Sequence, residues 1–122
     1  MKRLLIVSLL FFFLPLNHSL AKEADHTKVI KVTITEPNQH IFLAYVAPDQ
    51  YFYKVGNEEI SGRAAEKAVK QVITDLHLTP STTAAELVSL LKSHDYPNVE
   101  KMDVRWIDQS YHLYTWIWEK GD

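Results

Sequence analysis

The spacing of apolar residues changes twice along this chain, so no single class of secondary structure fits all of it. Between residues 29 and 55, apolar residues alternate with polar ones or form short runs, as in β-strands. From residue 61 to 94 they recur at three- and four-residue steps, which is typical of amphipathic helices. Alternation returns from residue 100 onward. The order β-β-β-α-α-β-β predicts an α+β domain, a mainly antiparallel sheet with two helices packed on one face.

The first half of the domain is predicted to form an antiparallel meander of three strands. Residues 28–36 alternate, residues 40–47 are apolar on both faces like a central strand, and residues 51–55 are rich in aromatic residues. Pro37 and Pro48 lie in the turns between these segments, where the fixed φ of proline is favourable.

Two helices are predicted to follow. In residues 61–78 the apolar side chains fall on one side of a helix and the charged ones on the other. A break at Thr79–Pro80 separates this helix from a shorter one. Thr83 and Glu86 have the spacing of a capping box, and Pro97 and Asn98 stop the second helix near His94.

Residues 100–108 and 111–119 are predicted to form a hairpin with Gln109–Ser110 as a two-residue loop. This register places Leu113, Thr115 and Ile117 on one apolar face. It is preferred because it separates an apolar set of side chains from a mixed one. Its cross-strand pairs on the apolar face are Trp106–Leu113, Val104–Thr115 and Met102–Ile117, and those on the other face are Ile107–His112, Arg105–Tyr114, Asp103–Trp116 and Lys101–Trp118.

The second face of the hairpin is the candidate functional surface. Basic side chains lie opposite aromatic ones there, an arrangement that favours cation–π pairs. Local stabilisation, recognition of a ligand and burial under another layer are all consistent with the pattern. The candidate binding residues are His112, Tyr114, Trp116, Trp118, Arg105 and Lys101.

The N-terminal sequence is typical of a secretory signal peptide. Lys2 and Arg3 precede an apolar run of thirteen residues, Leu4–Leu16, which is short for a membrane span. Ser19 and Ala21 are the small residues that signal peptidase requires, so cleavage is expected after Ala21. The predicted organisation is a signal peptide at 1–21, a polar leader at 22–28 and one domain at 29–120, in a secreted or periplasmic protein.

The net charge and the absence of cysteine indicate which classes of partner and which kind of source organism to expect. Cleavage after Ala21 removes two of the 13 basic residues of the full chain and none of its 15 acidic ones, so the net charge of the mature chain is about −4. This balance argues against nucleic acid or an anionic membrane as the main partner, and leaves the signal peptide as the only, transient, membrane contact. An exported domain without cysteine is more typical of bacteria than of eukaryotic secretion.

Catalytic and metal motifs are lacking in the sequence. The histidines of the mature chain show no H-x-H or H-E-x-x-H spacing, there is no thiol, and three glycines do not form a phosphate-binding loop. No catalytic residue, metal or cofactor is therefore predicted. An enzyme would need a site assembled from distant positions.

Two known families share parts of this layout. A helix followed by an aromatic hairpin is similar to the PepSY-type modules of exported bacterial proteins. The stretch from Ile34 to Leu78, with T-E-P-N-Q-H-I-F-L and then S-G-R-A-A-E-K-A-V, resembles the extracytoplasmic part of RsgI-type anti-sigma factors. Both resemblances concern the order of elements, cover less than half of the mature chain and imply no functional residue.

The expected function is binding. The sequence predicts a non-catalytic exported module that binds a protein or a cell-envelope component through its aromatic hairpin. Two alternatives remain: a membrane-tethered regulatory or inhibitory module that keeps its N-terminal anchor, and a small envelope hydrolase with a non-contiguous site.

Overall fold

The computed structural model describes residues 27–121, which form one antiparallel sheet and two helices. The predicted α+β class and order of elements are confirmed, with one short extra strand, β4. The predicted signal peptide and residues 22–26 lie outside the described residues. The elements are β1 (Thr27–Glu36), β2 (Gln39–Val46), β3 (Gln50–Val55), β4 (Glu58–Ile60), α1 (Gly62–Leu76), α2 (Ala84–Ser93), β5 (Lys101–Asp108) and β6 (Leu113–Glu119).

The sheet has six strands in the order β4-β3-β2-β1-β5-β6. The meander predicted for the first half is confirmed, and the C-terminal hairpin adds to the free side of β1. β1 therefore lies inside the sheet, although it is the first strand in the chain. It begins at Thr27, two residues before the predicted start of the domain. β6 and β4 are the two edge strands.

The core lies between one face of the sheet and the two helices. Alternate residues of β1, β2 and β5 point toward the helices, in agreement with the period of two seen in the sequence. α1 packs on β2 and β3, and α2 packs on β6. The largest side chains that are fully buried are Ile30, Ile34, Ile41, Leu43, Leu76, Leu87 and Met102.

The ends of the helices follow the sequence signals closely. Glu86 N–H donates to Thr83 Oγ1 (3.2 Å), as the capping box predicts. In a standard capping box the Glu86 carboxylate would accept the backbone N–H of Thr83. Here Glu86 Oε1 accepts from the Thr83 hydroxyl instead (3.0 Å). α1 ends where His77 takes a left-handed conformation (φ 47°), and α2 ends at His94 as predicted.

The predicted register of the hairpin is wrong by one residue. Trp106 lies opposite Tyr114, and Val104 lies opposite Trp116. Since successive side chains of a strand point to opposite faces, this shift exchanges the two faces of β6. Leu113 and Ile117, predicted to be buried, are 60% and 65% exposed, whereas Trp116 is only 8% exposed.

The cause of the shift is the loop between β5 and β6. It has three residues, 109–111, and is closed by a hydrogen bond from Asp108 N–H to the His112 carbonyl (3.1 Å). Tyr111 takes the left-handed conformation (φ 64°) that ends such a loop. The Asp108 carboxylate accepts from the N–H groups of Ser110 (2.9 Å) and His112 (3.0 Å). These bonds stabilise a longer loop than the Gln-Ser turn that was predicted.

The new register builds an aromatic cluster under the helices. The rings of Trp106 and Tyr114 stack with centroids 5.0 Å apart, and those of Tyr114 and Trp116 stack at 6.2 Å. Trp106 Nε1 donates to Thr27 Oγ1 (3.0 Å), and Trp116 Nε1 donates to the Thr82 carbonyl (2.7 Å). The two indoles therefore hold the start of β1 and the loop between the helices to the hairpin.

This register predicts which residue of β6 supports the fold. Trp116→Ala should lower the free energy of unfolding by about 3–5 kcal/mol, as expected for a truncated core aromatic residue. Ile117→Ala, the matched control at the next position, should change it by no more than about 0.5 kcal/mol, as at an exposed site. Urea unfolding of the two variants measures both values. A larger loss for Ile117→Ala than for Trp116→Ala would contradict the observed register.

Candidate functional site

The six candidate binding residues do not share one surface. His112, Arg105 and Lys101 are exposed, while Tyr114 and Trp118 are half-buried on the helix side of the sheet. The prediction of a displayed stripe is therefore wrong for Trp116, which belongs to the core. The burial interpretation describes this residue, because the loop between the helices covers it. Lys101 and Arg105 lie on the opposite, outer face of the sheet.

The expected cation–π pairs of the hairpin are replaced by ion pairs. Arg105 donates from Nε to Asp103 Oδ1 (3.0 Å), and this hydrogen bond raises the pKa of the guanidinium. Lys101 Nζ lies 3.5 Å from Glu119 Oε1. Trp118 does contact a cation, but from the other side: Lys92 Nζ of α2 is 5.6 Å from its ring centroid. The outer charges of the hairpin are thus paired with one another.

The outer face of the sheet carries an apolar row that neither helix covers. Val46, Val29, Ile107 and Leu113 are consecutive cross-strand partners on β2, β1, β5 and β6. The first three are half-buried and Leu113 is exposed. We call these four residues the outer row. It runs from the middle of the sheet to the β6 edge.

An open groove of about 530 Å³ lies beside the outer row. The β1–β5 pairing is irregular between Thr27 and Val29, and this irregularity brings Lys28 to the groove. Lys28 Nζ lies 5.4 Å from the ring centroid of Tyr111, whose side chain is 75% exposed. Tyr111 occupies a left-handed conformation that tyrosine rarely adopts, and such residues are concentrated at functional sites. The groove is lined by residues 27–29, 45–48, 107, 109 and 111.

The β6 edge is the third feature of this surface. Backbone bonds join Asp108 to His112 and Lys120 to Glu100. Bonded and non-bonded pairs alternate in an antiparallel ladder, so even-numbered residues of β6 bond to β5 and odd-numbered ones direct N–H and C=O groups away from it. Within residues 27–121, no backbone hydrogen bond from another element reaches those outward groups. Leu113 and Ile117 combine such groups with exposed apolar side chains.

Histidine and carboxylate groups meet at two places. His94 Nδ1 lies 3.9 Å from Asp75 Oδ2, and His112 Nδ1 lies 3.5 Å from Asp108 Oδ2. The Asp108 carboxylate also accepts two backbone N–H groups, which gives it a structural role in the loop. Burial raises the pKa of Tyr96 to about 12. Within the described range, no three or more His, Cys, Asp or Glu side chains cluster as a metal site.

Neither helix in residues 27–121 has the length and apolar content needed to cross a membrane.

The chain matches no protein-family model, no curated protein and no solved structure.

Sequence reasoning missed four residues of the outer surface: Lys28, Tyr111, Leu113 and Ile117. The predicted leader includes Lys28, and the predicted register places Leu113 and Ile117 on the apolar, buried face. One sequence signal could have given the correct loop length, and with it the exposed positions of the hairpin. Asp is favoured at the first position of a type I turn, and Asp108 is followed by two polar residues, which fits a three-residue loop better than a Gln-Ser turn.

The loop should depend on pH through Asp108. The His112 N–H bond is the main cause that lowers the pKa of this carboxyl below its usual 3.8. A lowered pKa stabilises the folded state above 3.8, and this contribution is lost as the pH falls through the folded-state value. We expect Asp108→Asn to keep an acceptor oxygen but lose the charge. Its deficit in unfolding free energy relative to wild type should be constant at neutral pH and shrink in acid.

Urea unfolding at a series of pH values measures this deficit, and Asp103→Asn is the matched control on the same strand. A deficit for Asp108→Asn that stays the same from neutral pH down to strong acid would show that the carboxylate does not stabilise the loop.

Proposed function

We propose that this protein is an exported binding module with no chemistry of its own, which docks a protein or cell-envelope component on the outer row and the adjoining groove. The predicted signal peptide supports export. The hairpin remains the binding element that the sequence predicted, but with its outer side chains in place of its aromatic ones.

One observation carries this proposal. Leu113 is 60% exposed at the β6 end of the outer row, which crosses four strands, and Ile117, four residues further along the same face of β6, is 65% exposed. Small soluble domains rarely leave contiguous apolar surface open unless it contacts something. Two backbone irregularities, at Lys28 and Tyr111, lie at the same end of the sheet. Local strain of this kind is tolerated where it positions a functional side chain.

The charges around the surface favour an apolar partner segment. Arg105 is paired with Asp103, and Lys101 is paired with Glu119, so neither offers a free charge to an anionic ligand. Lys28 adds a cation at the rim, beside the Tyr111 ring. A chain segment with aliphatic or aromatic side chains fits this surface better than a polyanion, in agreement with the acidic net charge.

Capture from the envelope fraction of the source cell tests the proposal. Ile107→Thr combined with Tyr111→Ser keeps a β-branched residue in β5 and removes apolar contact area at the groove. We expect this double variant to weaken capture at least about tenfold, which corresponds to about 1.4 kcal/mol. Phe52→Thr is the matched control, because Phe52 is 45% exposed on the same face but lies on β3, away from the groove.

Both variants should unfold at urea concentrations close to that of wild type, which shows that their sheets are intact. Capture that is unchanged in the double variant, or lost equally in Phe52→Thr, would contradict binding at this surface.

A further inference from the structure

We propose that the β6 edge pairs with the β6 edge of a second copy of this chain, antiparallel and about a two-fold axis, with Thr115 opposite the partner's Thr115. This pairing goes beyond the proposed function, because it uses the backbone edge of β6 and, of the outer row, only Leu113. It joins two sheets of six strands into one continuous sheet.

The backbone of β6 is suited to this pairing. Leu113, Thr115 and Ile117 direct their N–H and C=O groups outward, and a strand of a second copy satisfies them when odd residues face odd residues. No charged residue or proline occurs between Leu113 and Trp118. Natural edge strands usually carry such residues to prevent pairing with other chains. β6 lacks this protection over six of its seven residues.

The side chains of β6 are self-complementary in one register. With Thr115 on the axis, Leu113 faces the partner's Ile117 on the outer side. On the helix side, Tyr114 faces the partner's Trp116, and His112 faces the partner's Trp118. The aromatic stack of Tyr114 on Trp106 is thereby extended across the axis. Aliphatic and aromatic cross-strand pairs of this kind stabilise antiparallel sheets.

Charges favour the same register. Glu119, the only charged residue of β6, faces the partner's Tyr111 rather than another carboxylate. A shift that places Thr115 opposite the partner's Ile117 would instead put Leu113 opposite Glu119. The two charges of the neighbouring helix α2, Glu86 and Lys92, have opposite signs, so the helices of the two copies do not repel.

The other edge of the sheet explains why pairing stops at two copies. β4 has only three residues, and two of them are Glu58 and Glu59. Pairing of β6 with β4 of another copy would leave most of β6 uncovered and could continue into a fibre. Pairing of β6 with itself uses the long edge twice and closes. An interface of one strand and its flanks belongs below about 1,200 Å², so we expect micromolar affinity.

Sedimentation equilibrium of the protein, purified as the cell processes it, tests the pairing. We expect a monomer–dimer equilibrium in the micromolar range. Thr115→Pro removes an outward N–H without removing a bond to β5, and should raise the dissociation constant at least about tenfold. Thr115→Val, the matched control, keeps the N–H group and should dimerise like wild type. Both substitutions leave Ile107 and Tyr111 intact, so capture of an envelope partner is scored separately.

Cysteine cross-linking tests the register and does not depend on whether Thr115→Pro folds. The chain contains no cysteine, so each variant carries a single thiol. Across the axis, the Cα atoms of the two Thr115 residues should be about 5.5 Å apart, which suits a disulfide. Thr115→Cys should therefore form a covalent dimer on mild oxidation at least about tenfold faster than Ile117→Cys, since each Ile117 faces Leu113 of the other copy.

The proposal is overturned if wild type is monomeric throughout the micromolar range, or if Thr115→Cys cross-links no faster than Ile117→Cys. A monomer that still captures an envelope protein, and loses it in Thr115→Pro, would assign the β6 edge to a different polypeptide and would also overturn pairing between copies. Loss of capture in Ile107→Thr alone, a change on β5 outside the β6 pairing, with an unchanged dimer would support both proposals.

Discussion

The carboxylate of Asp108 stabilises the loop whose length fits the observed register of the last strand. By accepting the N–H groups of Ser110 and His112, it stabilises a three-residue loop. A loop of two residues would shift β6 by one position and turn every side chain of the strand to the opposite face. The loop thus places Trp116 in the core and leaves Leu113 and Ile117 on the surface. Both the stability of the hairpin and the identity of the exposed surface depend on it.

Burial of the aromatic residues connects parts of the chain that are distant in sequence. Trp106 reaches the first residue of β1, and Trp116 reaches the loop between the helices. Each indole buries a large apolar area and satisfies its single N–H donor, which is how tryptophan is best accommodated in a core. Because the aromatic side chains of β6 face the helices, its exposed apolar side chains are aliphatic, with Tyr111 in the loop before them.

Local sequence signals predicted the strands and helices. They did not predict which distant strands pair in the sheet. The strands of the meander and both helices follow from periodicity, prolines and the Thr83 cap, because these act within a few residues. The position of β5 beside β1 depends on contacts across more than 60 residues, which no local pattern encodes. The hairpin register failed for another reason. The left-handed residue of the loop is Tyr111 rather than the usual glycine or asparagine, so Asp108 at the first position of the turn was the one local sign of a three-residue loop.

The side chains of the hairpin that do not enter the core form its outer surface, so the register determines the composition of that surface. NMR of the protein measures that register most directly, because the Hα atoms of non-hydrogen-bonded antiparallel pairs lie close together. The observed pairing predicts strong Hα–Hα contacts between Arg105 and Thr115 and between Asp103 and Ile117. Strong Hα–Hα contacts that instead pair Arg105 with Tyr114 and Asp103 with Trp116 would contradict it, and would return the aromatic side chains to the surface.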